Sequence, residues 1–310
     1  MPLANKKIQI ILPAHNESGN IKPIYQEITE ALSSTPYTYN ILFIDDGSKD
    51  NTLQVIKDLA EIDLRVKFIE LSRNFGHQNA LKAGIDQCES DILIMMDCDL
   101  QHPPTLIKEM LSLHEKGYEI VRTKRVVNRN EGFIKNKSSI LFYKLLNKFS
   151  EVKMEEGSAD FRLVSGSAIE QLKSFGEYDL FYRGLIKWMG FKQASLEYNP
   201  DVRRFGQTKY SYKKMISFGL DGFTSFSVRP LYFAAIIGLV FAALSLLYIP
   251  YIIYTLLMHH EVSGWTSLIA SIAFFGSLNL IVLGIIGIYI SKIFLQVKNR
   301  PHYIISETNL

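Results

Sequence analysis

Residues 91–104 read Asp-Ile-Leu-Ile-Met-Met-Asp-Cys-Asp-Leu-Gln-His-Pro-Pro, an apolar run that ends in an acidic pair. A short, continuous apolar run is typical of a strand that is buried on both faces of a parallel sheet. Asp97 and Asp99 follow the run, and residues two apart in extended chain point to the same side. The stretch therefore predicts a buried strand with two carboxylates at its carboxyl end.

Apolar, β-branched runs alternate with amphipathic stretches of helical spacing from residue 8 to residue 127. This alternation is typical of consecutive βαβ units. We predict five strands: Ile8–Leu12, Asn40–Ile44, Val66–Glu70, Asp91–Met96 and Glu119–Thr123. The amino-terminal part of the chain is thus predicted to be an α/β domain with a mostly parallel sheet and flanking helices.

Polar loops follow the first four strands, at residues 13–19, 45–48, 72–78 and 97–104. Open parallel sheets bind ligands beyond the carboxyl ends of their strands, so we expect the chemistry in these loops. Asp97 and Asp99 would give a divalent cation such as Mg²⁺ or Mn²⁺ hard oxygen ligands. In Asp45-Asp46-Gly47-Ser48 a carboxylate could accept a hydrogen bond from a pyrimidine base or a ribose hydroxyl, or the motif could be a simple turn.

The carboxy-terminal part is apolar, and Glu261 is the only Asp, Glu, Lys or Arg between Leu231 and Ile290. Two charge-free stretches, about 231–257 and 265–290, each exceed the roughly 20 residues that cross the hydrocarbon of a bilayer. We predict two transmembrane helices here, in preference to two buried core helices. Lys and Arg flank the outer ends and are absent from the link, which predicts a multi-pass cell-membrane protein with cytoplasmic termini and a cytoplasmic catalytic domain.

These patterns divide the chain into a domain at 1–208, an amphipathic juxtamembrane segment at 209–228, the transmembrane helices within 229–292 and a cytoplasmic tail at 293–310. The juxtamembrane segment mixes apolar side chains with Lys213, Lys214 and Asp221. Such a mixture suits a helix that lies in the membrane interface, and a core helix is the alternative.

Composition excludes several other classes of protein. The net charge of +3 is too small and dispersed to predict nucleic-acid binding. Cys88 and Cys98 lack metal-ligand spacing, which argues against zinc or a disulfide framework and suits a reducing compartment. No Gly-x-Gly-x-x-Gly follows the first strand, which argues against a dinucleotide-binding oxidoreductase.

Three motifs stand at successive predicted strand ends: Pro13-Ala14-His15-Asn16-Glu17, Asp45-Asp46-Gly47-Ser48 and Asp97-Cys98-Asp99. In this order they resemble the nucleotide-sugar domain of inverting family 2 glycosyltransferases, which has the GT-A fold. Five more motifs extend the resemblance: Ser72-Arg73-Asn74-Phe75-Gly76-His77, Gln101-His102-Pro103-Pro104, Gly157-Ser158-Ala159-Asp160-Phe161-Arg162-Leu163, Phe181-Tyr182-Arg183-Gly184 and Arg203-Arg204-Phe205-Gly206-Gln207-Thr208-Lys209-Tyr210. They are similar to the polyprenyl-phosphate glycosyltransferases, which include dolichyl-phosphate mannose synthase and the bactoprenol glucosyltransferases.

The apolar carboxy-terminal part resembles the bactoprenol glucosyltransferase subgroup, so the resemblance covers nearly the whole chain. The motifs that carry it there are Gly264-Trp265-Thr266-Ser267 and Val297-Lys298-Asn299-Arg300-Pro301. One motif departs, since the chain has Gly287-Ile288-Tyr289 where that subgroup usually has Gly-Glu-Tyr. Any role of that glutamate is absent here or is taken by another residue.

The resemblance implies roles for residues at the donor end of the site. Those implied to bind the nucleotide are Pro13, Asn16, Glu17, Asp45, Asp46, Arg73 and Asp97. Those implied to hold a divalent cation, Mg²⁺ or Mn²⁺, on the diphosphate are Asp97, Asp99 and Gln101. Arg203 and Lys209 would close over the diphosphate, and the alternative is that they only set membrane topology. Together with Asp99 and Asp160 they form the predicted catalytic set.

At the acceptor end, Arg125, Arg129 and Arg183 are implied to bind the acceptor phosphate, although each could equally be a surface arginine. Asp160 would lie beside the acceptor. It could act as a base, as a neighbour of the metal, as an orienter of Arg162 or as a helix cap, and positioning of the acceptor is the role we favour.

The resemblance implies transfer of a hexose, from UDP-glucose, to undecaprenyl phosphate at the cytoplasmic membrane face, with inversion and without a covalent enzyme intermediate. UDP-N-acetylglucosamine, UDP-galactose and GDP-mannose are alternative donors, and a non-catalytic membrane scaffold is the alternative outside the enzymes. A processive polysaccharide synthase normally has more spans and a Gln-x-x-Arg-Trp motif, which is missing here. The expected partners are the nucleotide sugar, the polyprenyl phosphate, the bilayer and, in a homo-oligomer, further copies of the chain, as a tetramer.

Overall fold

The computed structural model describes residues 6–126, 157–199, 227–257 and 264–310. The strands in these ranges are β1 (Lys7–Ala14), β2 (Thr38–Asp45), β3 (Val66–Leu71), β4 (Ile92–Met95), β5 (Ile120–Arg125), β6 (Ser158–Ser165), β7 (Gln193–Tyr198) and β8 (Ile305–Thr308). They form one sheet in the order β7-β5-β6-β4-β1-β2-β3-β8. The five predicted strands are confirmed, with ends that differ by one or two residues.

The centre of the sheet is parallel, because β1 pairs with both β2 and β4 and β2 pairs with β3 in the same direction. The mostly parallel α/β sheet is thus confirmed. β6 was not predicted, and it runs antiparallel between β4 and β5. The first residues of β6 therefore lie at the same edge of the sheet as the carboxyl ends of β1 to β5.

Helices cover both faces of the sheet. Those of the domain are α1 (Ser18–Leu32), α2 (Thr52–Ile62), α3 (His77–Asp86), α4 (Leu106–Glu115), α5 (Gly166–Ser174) and α6 (Tyr182–Trp188). Strand side chains alternate between two apolar cores. Ile10 and Leu12 pack with α1, α2 and α4, whereas Ile11 packs with α3, α5 and α6. Burial of each such side chain contributes about 1.5–3 kcal/mol, so the sheet edge that carries the polar loops rests on a rigid support.

Two long apolar helices follow the domain, α7 (Arg229–Leu257) and α8 (Trp265–Val297). They lie side by side, since the Phe241 ring is 5.7 Å from that of Phe274, and the Tyr289 hydroxyl donates to the Ser227 carbonyl at 2.6 Å. Within the described residues one helical stretch, Ser271–Val297, is long and apolar enough to cross a membrane, and a shorter apolar stretch spans Arg229–Leu244. Two crossings, with the first at 231–257, remain a prediction. Residues 209–226 of the predicted interfacial helix lie outside the described ranges.

The carboxy-terminal tail returns to the domain as β8, which pairs antiparallel with β3 at the edge of the sheet. The Phe68 amide donates to Asn309 Oδ1 at 2.7 Å, and Lys57 pairs with Glu307 at 2.8 Å. Sequence patterns predicted only a tail here. The structure instead shows that the residues after α8 complete the sheet and cover the edge of β3.

Candidate active site

The loop after β2 touches the loop after β3 at Gly47. Its φ of +61° is in the left-handed region, and a Cβ there would lie 2.5 Å from the Arg73 carbonyl carbon and from the Asn74 nitrogen. Only glycine allows both that backbone conformation and that close approach. The two predicted nucleotide-binding loops are therefore in backbone contact.

Asn16 connects the loop after β1 to the loop after β2. Its amide donates to Ser48 Oγ at 2.9 Å, and its side-chain Oδ1 accepts from the Lys49 amide at 2.8 Å. Its φ of 55° is also left-handed, which is uncommon for a residue other than glycine. Strained backbone of this kind persists where the surroundings fix it, as these two hydrogen bonds do.

The neighbouring aspartates at the end of β2 have different environments. Asp46 accepts hydrogen bonds from the amides of Phe75 and Gly76, at 2.7 and 3.0 Å, so its carboxylate holds the loop after β3. Asp45 accepts from the Ser48 amide through Oδ2 at 3.1 Å. Its Oδ1 is buried without a hydrogen-bond partner among the described residues. Of the two, Asp45 is the one with a carboxylate oxygen that no described residue satisfies.

The other predicted nucleotide-binding residues surround these loops. Glu17 Oε2 accepts from Asn20 Nδ2 at 2.6 Å at the start of α1. Pro13 lies buried in β1, opposite Ile44 of β2. The Arg73 guanidinium lies 4.0 Å from the centre of the Phe75 ring. The structure brings these residues to one edge of the sheet, and their contact with a nucleotide remains a prediction.

The predicted metal ligands follow β4 in a tight turn. The Gln101 amide donates to Asp99 Oδ1 at 3.2 Å, and Leu100 between them has a left-handed φ of 60°. Asp97 Oδ1 lies 3.4 Å from His77 Nε2 at the start of α3. This strained turn holds Asp97, Asp99 and Gln101 within one short loop.

The donor set of this loop fits a hard cation whose coordination is completed by substrate. Among the described residues, no group of three or more His, Cys, Asp or Glu side chains could hold a metal ion. Two carboxylates and the side-chain amide oxygen of Gln101 give fewer ligands than the octahedral shell that Mg²⁺ requires. Mg²⁺ is commonly held by one or two carboxylates together with substrate phosphates and water. The loop therefore suits a cation that arrives with a diphosphate.

Asp160 lies at the start of β6 between two guanidinium groups. Arg183 donates through Nε to Oδ1 at 3.0 Å and through Nη2 to Oδ2 at 2.7 Å. Arg162, which is buried in the core of the domain, donates through Nη2 to Oδ1 at 3.1 Å. Burial alone would raise the pKa of Asp160, but the charges of Arg183 and Arg162 hold it well below its usual range. Asp160 is therefore ionised and too weakly basic to take up a proton readily.

His77 and His102 belong to motifs of the sequence but were given no role there, and the structure places both between predicted site residues. His77 Nε2 lies 3.4 Å from Asp97 Oδ1 and 3.8 Å from Asp160 Oδ2. His102 is fully buried, and its Nδ1 accepts from the Asp97 amide at 3.3 Å. Its Nε2 lies 3.2 Å from Arg125 Nη2. Burial lowers the pKa of His102.

Of the three arginines predicted to bind the acceptor phosphate, the structure describes two, Arg125 and Arg183. Arg125 ends β5, where its Nε donates to the Tyr198 hydroxyl at 3.1 Å. Through His102 it is joined to the Asp97 loop, and Arg183 joins the same region through Asp160. Arg129, Arg203 and Lys209 lie outside the described residues, so their roles remain predictions.

The strand order arranges these groups in a row. Along β3-β2-β1-β4-β6 the site begins with the Arg73 and Asp45 loops, continues through the Asp97 and Asp99 turn and ends at Asp160. An unsatisfied carboxylate oxygen, that of Asp45, thus lies at one end and a guanidinium cluster at the other. Such a row can bind an extended ligand that bears phosphate groups in its middle and at its far end.

Comparison with known proteins gives matches over nearly the whole chain. A family model described as Glycosyl transferase family 2 matches residues 9–173. The SfII prophage-derived bactoprenol glucosyl transferase of Shigella flexneri is 39% identical over 304 residues, with 98% of both chains covered. The putative glycosyltransferase CsbB of Bacillus subtilis (strain 168) is also 39% identical over 304 residues, which cover 98% of this chain and 92% of the relative.

Among solved structures, mannosyl-3-phosphoglycerate synthase from Rubrobacter xylanophilus is similar with a TM-score of 0.48 and 16% identity. The match covers 70% of this chain and 71% of that one.

Proposed function

Because the chain belongs to glycosyl transferase family 2, in the branch of the polyprenyl-phosphate glycosyltransferases, we propose that it transfers a hexose from UDP-glucose to undecaprenyl phosphate. The observation that carries the proposal is the position of His77, whose Nε2 is 3.4 Å from Asp97 and 3.8 Å from Asp160. The diphosphate end and the acceptor end of the site are therefore one side chain apart. A sugar bound between them can be attacked directly by the acceptor.

At the donor end, Asp45 and the loops around it would bind the nucleoside. Its buried Oδ1 lacks a protein donor among the described residues, so a uracil imide or a ribose hydroxyl could satisfy it. Asp46 supports the site in another way, because both of its oxygens hold the Phe75–Gly76 backbone. UDP-N-acetylglucosamine, UDP-galactose and GDP-mannose remain alternative donors.

At the centre, Asp97, Asp99 and Gln101 would hold Mg²⁺ or Mn²⁺. The cation would stabilise the negative charge that develops on the leaving nucleoside diphosphate as the glycosidic bond breaks. The turn that contains Leu100 fixes Asp99 and Gln101 before substrate arrives, which lowers the reorganisation that catalysis requires. Arg203 and Lys209 would close over the diphosphate from the segment beyond the described residues.

At the acceptor end, Arg183 and Arg125 would bind the lipid phosphate, with Arg129 as the third predicted arginine. The second pKa of a phosphate monoester is about 6, so the acceptor is mostly dianionic at neutral pH and needs little general-base help. An oxygen of that phosphate forms the new bond to the anomeric carbon while the bond to the diphosphate breaks on the opposite face. This direct displacement inverts the configuration. Asp160 contributes by orienting Arg183.

We further propose that α7 and α8 both cross the membrane and that the domain and both termini are cytoplasmic. The pairing of β8 with β3 supports this arrangement, because the chain returns to the domain after α8 and so must cross an even number of times. The Tyr289 hydroxyl also contacts Ser227, just before α7. The proposed catalytic domain comprises residues 1–208 together with β8 of the carboxy-terminal tail, and the proposed interfacial segment is 209–228.

One assay tests the enzymatic proposal. The purified full-length chain, in vesicles with undecaprenyl phosphate, is supplied in turn with each of the four labelled nucleotide sugars, with and without EDTA. We expect a lipid-extractable labelled product with UDP-glucose that EDTA abolishes. A product from another nucleotide sugar would show that UDP-glucose is not the donor. A product whose yield EDTA does not change would contradict the proposed metal dependence. Failure of every donor would favour the non-catalytic scaffold.

A further inference from the structure

The last turns of α8 hold a segment of the catalytic domain. Gln296 Nε2 donates to the Gly176 carbonyl at 2.8 Å, and its Oε1 accepts from the Tyr178 amide at 2.6 Å. One turn earlier, Lys292 pairs with Asp179 at 3.1 Å. Residues 175–181 are therefore fixed against the end of the helix, at the level of Lys292 to Val297.

That level is still apolar on the outside of the helix. Ile293, Phe294 and Val297 are 61%, 58% and 77% exposed, although they follow the charged Lys292. Residues 265–290 of α8 include no Asp, Glu, Lys or Arg, and this charge-free stretch has 26 residues. At about 1.5 Å per residue it is about 39 Å long, which is more than the roughly 30 Å of hydrocarbon in a bilayer. The end of α8, and the segment attached to it, would thus reach the headgroup layer.

Two large aromatic side chains are exposed beside this contact. Tyr178, in the attached segment, is 41% exposed. Trp188, at the end of α6, is 60% exposed, and its ring packs edge-on against that of Phe175 at 6.0 Å. Tyrosine and tryptophan have an apolar body with a polar tip, and both are enriched where a membrane meets water.

We propose that Tyr178, Trp188 and the last turn of α8 form one docking surface for the headgroup layer of the bilayer. The proposal rests on the membrane anchoring proposed above and adds a contact between the catalytic domain and the lipid. The surface is continuous with the predicted span through Gln296 and Lys292. The partner is lipid because the exposed groups are aromatic and aliphatic and lie at the level where α8 leaves the membrane.

This surface has a consequence for the acceptor. α6 has 7 residues, carries Arg183 near its start and ends at Trp188. At about 1.5 Å per residue the helix is about 10 Å long. Docking of Trp188 in the headgroup layer would therefore place Arg183, paired with Asp160, within about one such length of the lipid phosphates. A phosphate on a membrane lipid could then reach the site with little displacement from the bilayer.

The experiment uses the two tryptophans of the chain, Trp188 and Trp265. Trp265→Phe leaves Trp188 as the single reporter, and Trp188→Phe leaves Trp265 at the start of α8. Each protein is reconstituted in phosphatidylcholine–phosphatidylglycerol vesicles with lipids brominated either near the headgroup or at the acyl-chain end. We expect Trp188 emission to fall by roughly half with headgroup-proximal bromine and to change little with terminal bromine.

The two reporters separate failure of this inference from failure of the anchoring. Trp265 quenched and Trp188 unchanged would overturn the docking surface and leave the anchoring intact. If neither tryptophan is quenched, the anchoring proposal is wrong and the docking surface is overturned with it. Stronger quenching of Trp188 by terminal bromine would also overturn the proposal, since the side chain would then lie in the hydrocarbon.

Kinetics give a second readout. Trp188→Ala and Gln296→Ala should each raise the KM for undecaprenyl phosphate in vesicles about tenfold and leave the KM for the nucleotide sugar unchanged. The matched control is Leu64→Ala, which removes an apolar side chain that is 85% exposed before β3, at the opposite edge of the sheet. An equal rise in both KM values, or the same effect in the control, would contradict a role specific to the membrane acceptor.

Discussion

Arg183 holds Asp160 by two hydrogen bonds, from Nε to Oδ1 at 3.0 Å and from Nη2 to Oδ2 at 2.7 Å. A two-point bond fixes the plane of the guanidinium as well as its distance. Asp160 is buried, whereas the Arg183 side chain is 30% exposed at the edge of the site. The pair thus connects the interior of the domain to the surface that the acceptor phosphate would approach.

Replacement of Arg183 by lysine tests the importance of this geometry. Lysine keeps the charge but cannot form the planar, two-point bond. A hydrogen bond between charged groups is worth roughly 1.5–3 kcal/mol, so we expect kcat/KM for undecaprenyl phosphate to fall about 10- to 100-fold. The KM for the nucleotide sugar should change little. Steady-state kinetics with each substrate varied measures both values.

Arg65→Lys is a matched control, because Arg65 also bonds both oxygens of a carboxylate: its Nε donates to Asp63 Oδ1 at 3.0 Å and its Nη2 to Asp63 Oδ2 at 2.7 Å, on the surface away from the site. It should leave both KM values unchanged. An equal loss in the two variants would show that the effect of Arg183→Lys is a general loss of stability.

The charge of Arg183 also affects how stability and activity depend on pH, because it lowers the pKa of Asp160. The depressed pKa of Asp160 contributes stability that is present above the unfolded-state value of about 3.9 and is lost as the pH falls through the folded-state value. Asp160 should therefore stay ionised throughout the neutral range in the natural protein. Arg183→Gln removes one of the charges that counteract the effect of burial on the pKa of Asp160. That pKa therefore rises, and the acid limb of the pH–rate profile should move to higher pH. Superimposable acid limbs would contradict this.

Asp99→Asn tests the predicted metal loop. The amide is nearly isosteric with the carboxylate but carries no charge, so the cation on the diphosphate would be held more weakly. We expect kcat to fall by about 100-fold or more, with folding and membrane insertion unchanged. Transfer assays at several Mn²⁺ concentrations, together with thermal unfolding, measure both effects. Retained activity would remove Asp99 from the metal site.

His102→Phe tests a residue that supports the predicted metal loop through the Asp97 amide. Phenylalanine keeps the stacking on Phe161, whose ring lies 5.5 Å away, but leaves the Asp97 amide and Arg125 without their shared partner. Loss of groups that support metal ligands typically costs 10–100-fold in affinity, so the metal concentration at half-maximal rate should rise about tenfold. The control is His114→Phe, which replaces a part-buried histidine at the end of α4. This variant should leave the metal concentration at half-maximal rate unchanged.

The sequence predicted the strands and loops that local patterns encode. The apolar run before Asp97 and the turn at Gly47 are local signals, and the structure places both at the predicted edge of the sheet. β6 was missed because it carries Asp160 and Arg162 in a buried strand, where charges are normally absent. Their burial is explained only by their bond to each other and to Arg183, which a search for apolar periodicity does not detect.

Long-range partners account for the other misses. β8 is four residues long and pairs with β3 more than 230 positions earlier in the chain, so no local pattern indicates it. The roles of His77 and His102 depend on which carboxylates lie beside them in space. Their motifs were visible in the sequence, but the contacts between loops were not.

Alanine substitutions at Gly47 and Gly117, both with left-handed backbone, distinguish the effect of the contact between loops from the effect of backbone strain. Gly47 and Gly117 have φ of +61° and +85°, so alanine is strained at both positions. At Gly47 the new Cβ would also lie 2.5 Å from the Arg73 backbone, whereas at Gly117 nothing lies within 4 Å. Gly117→Ala should therefore lower only the Tm, whereas Gly47→Ala should lower the Tm further and raise the KM for the nucleotide sugar about tenfold, because the loops that carry Asp45 and Arg73 must separate. Thermal unfolding and donor-dependent kinetics on both variants measure the difference. An unchanged donor KM in Gly47→Ala would show that the contact between these loops does not shape the nucleotide site.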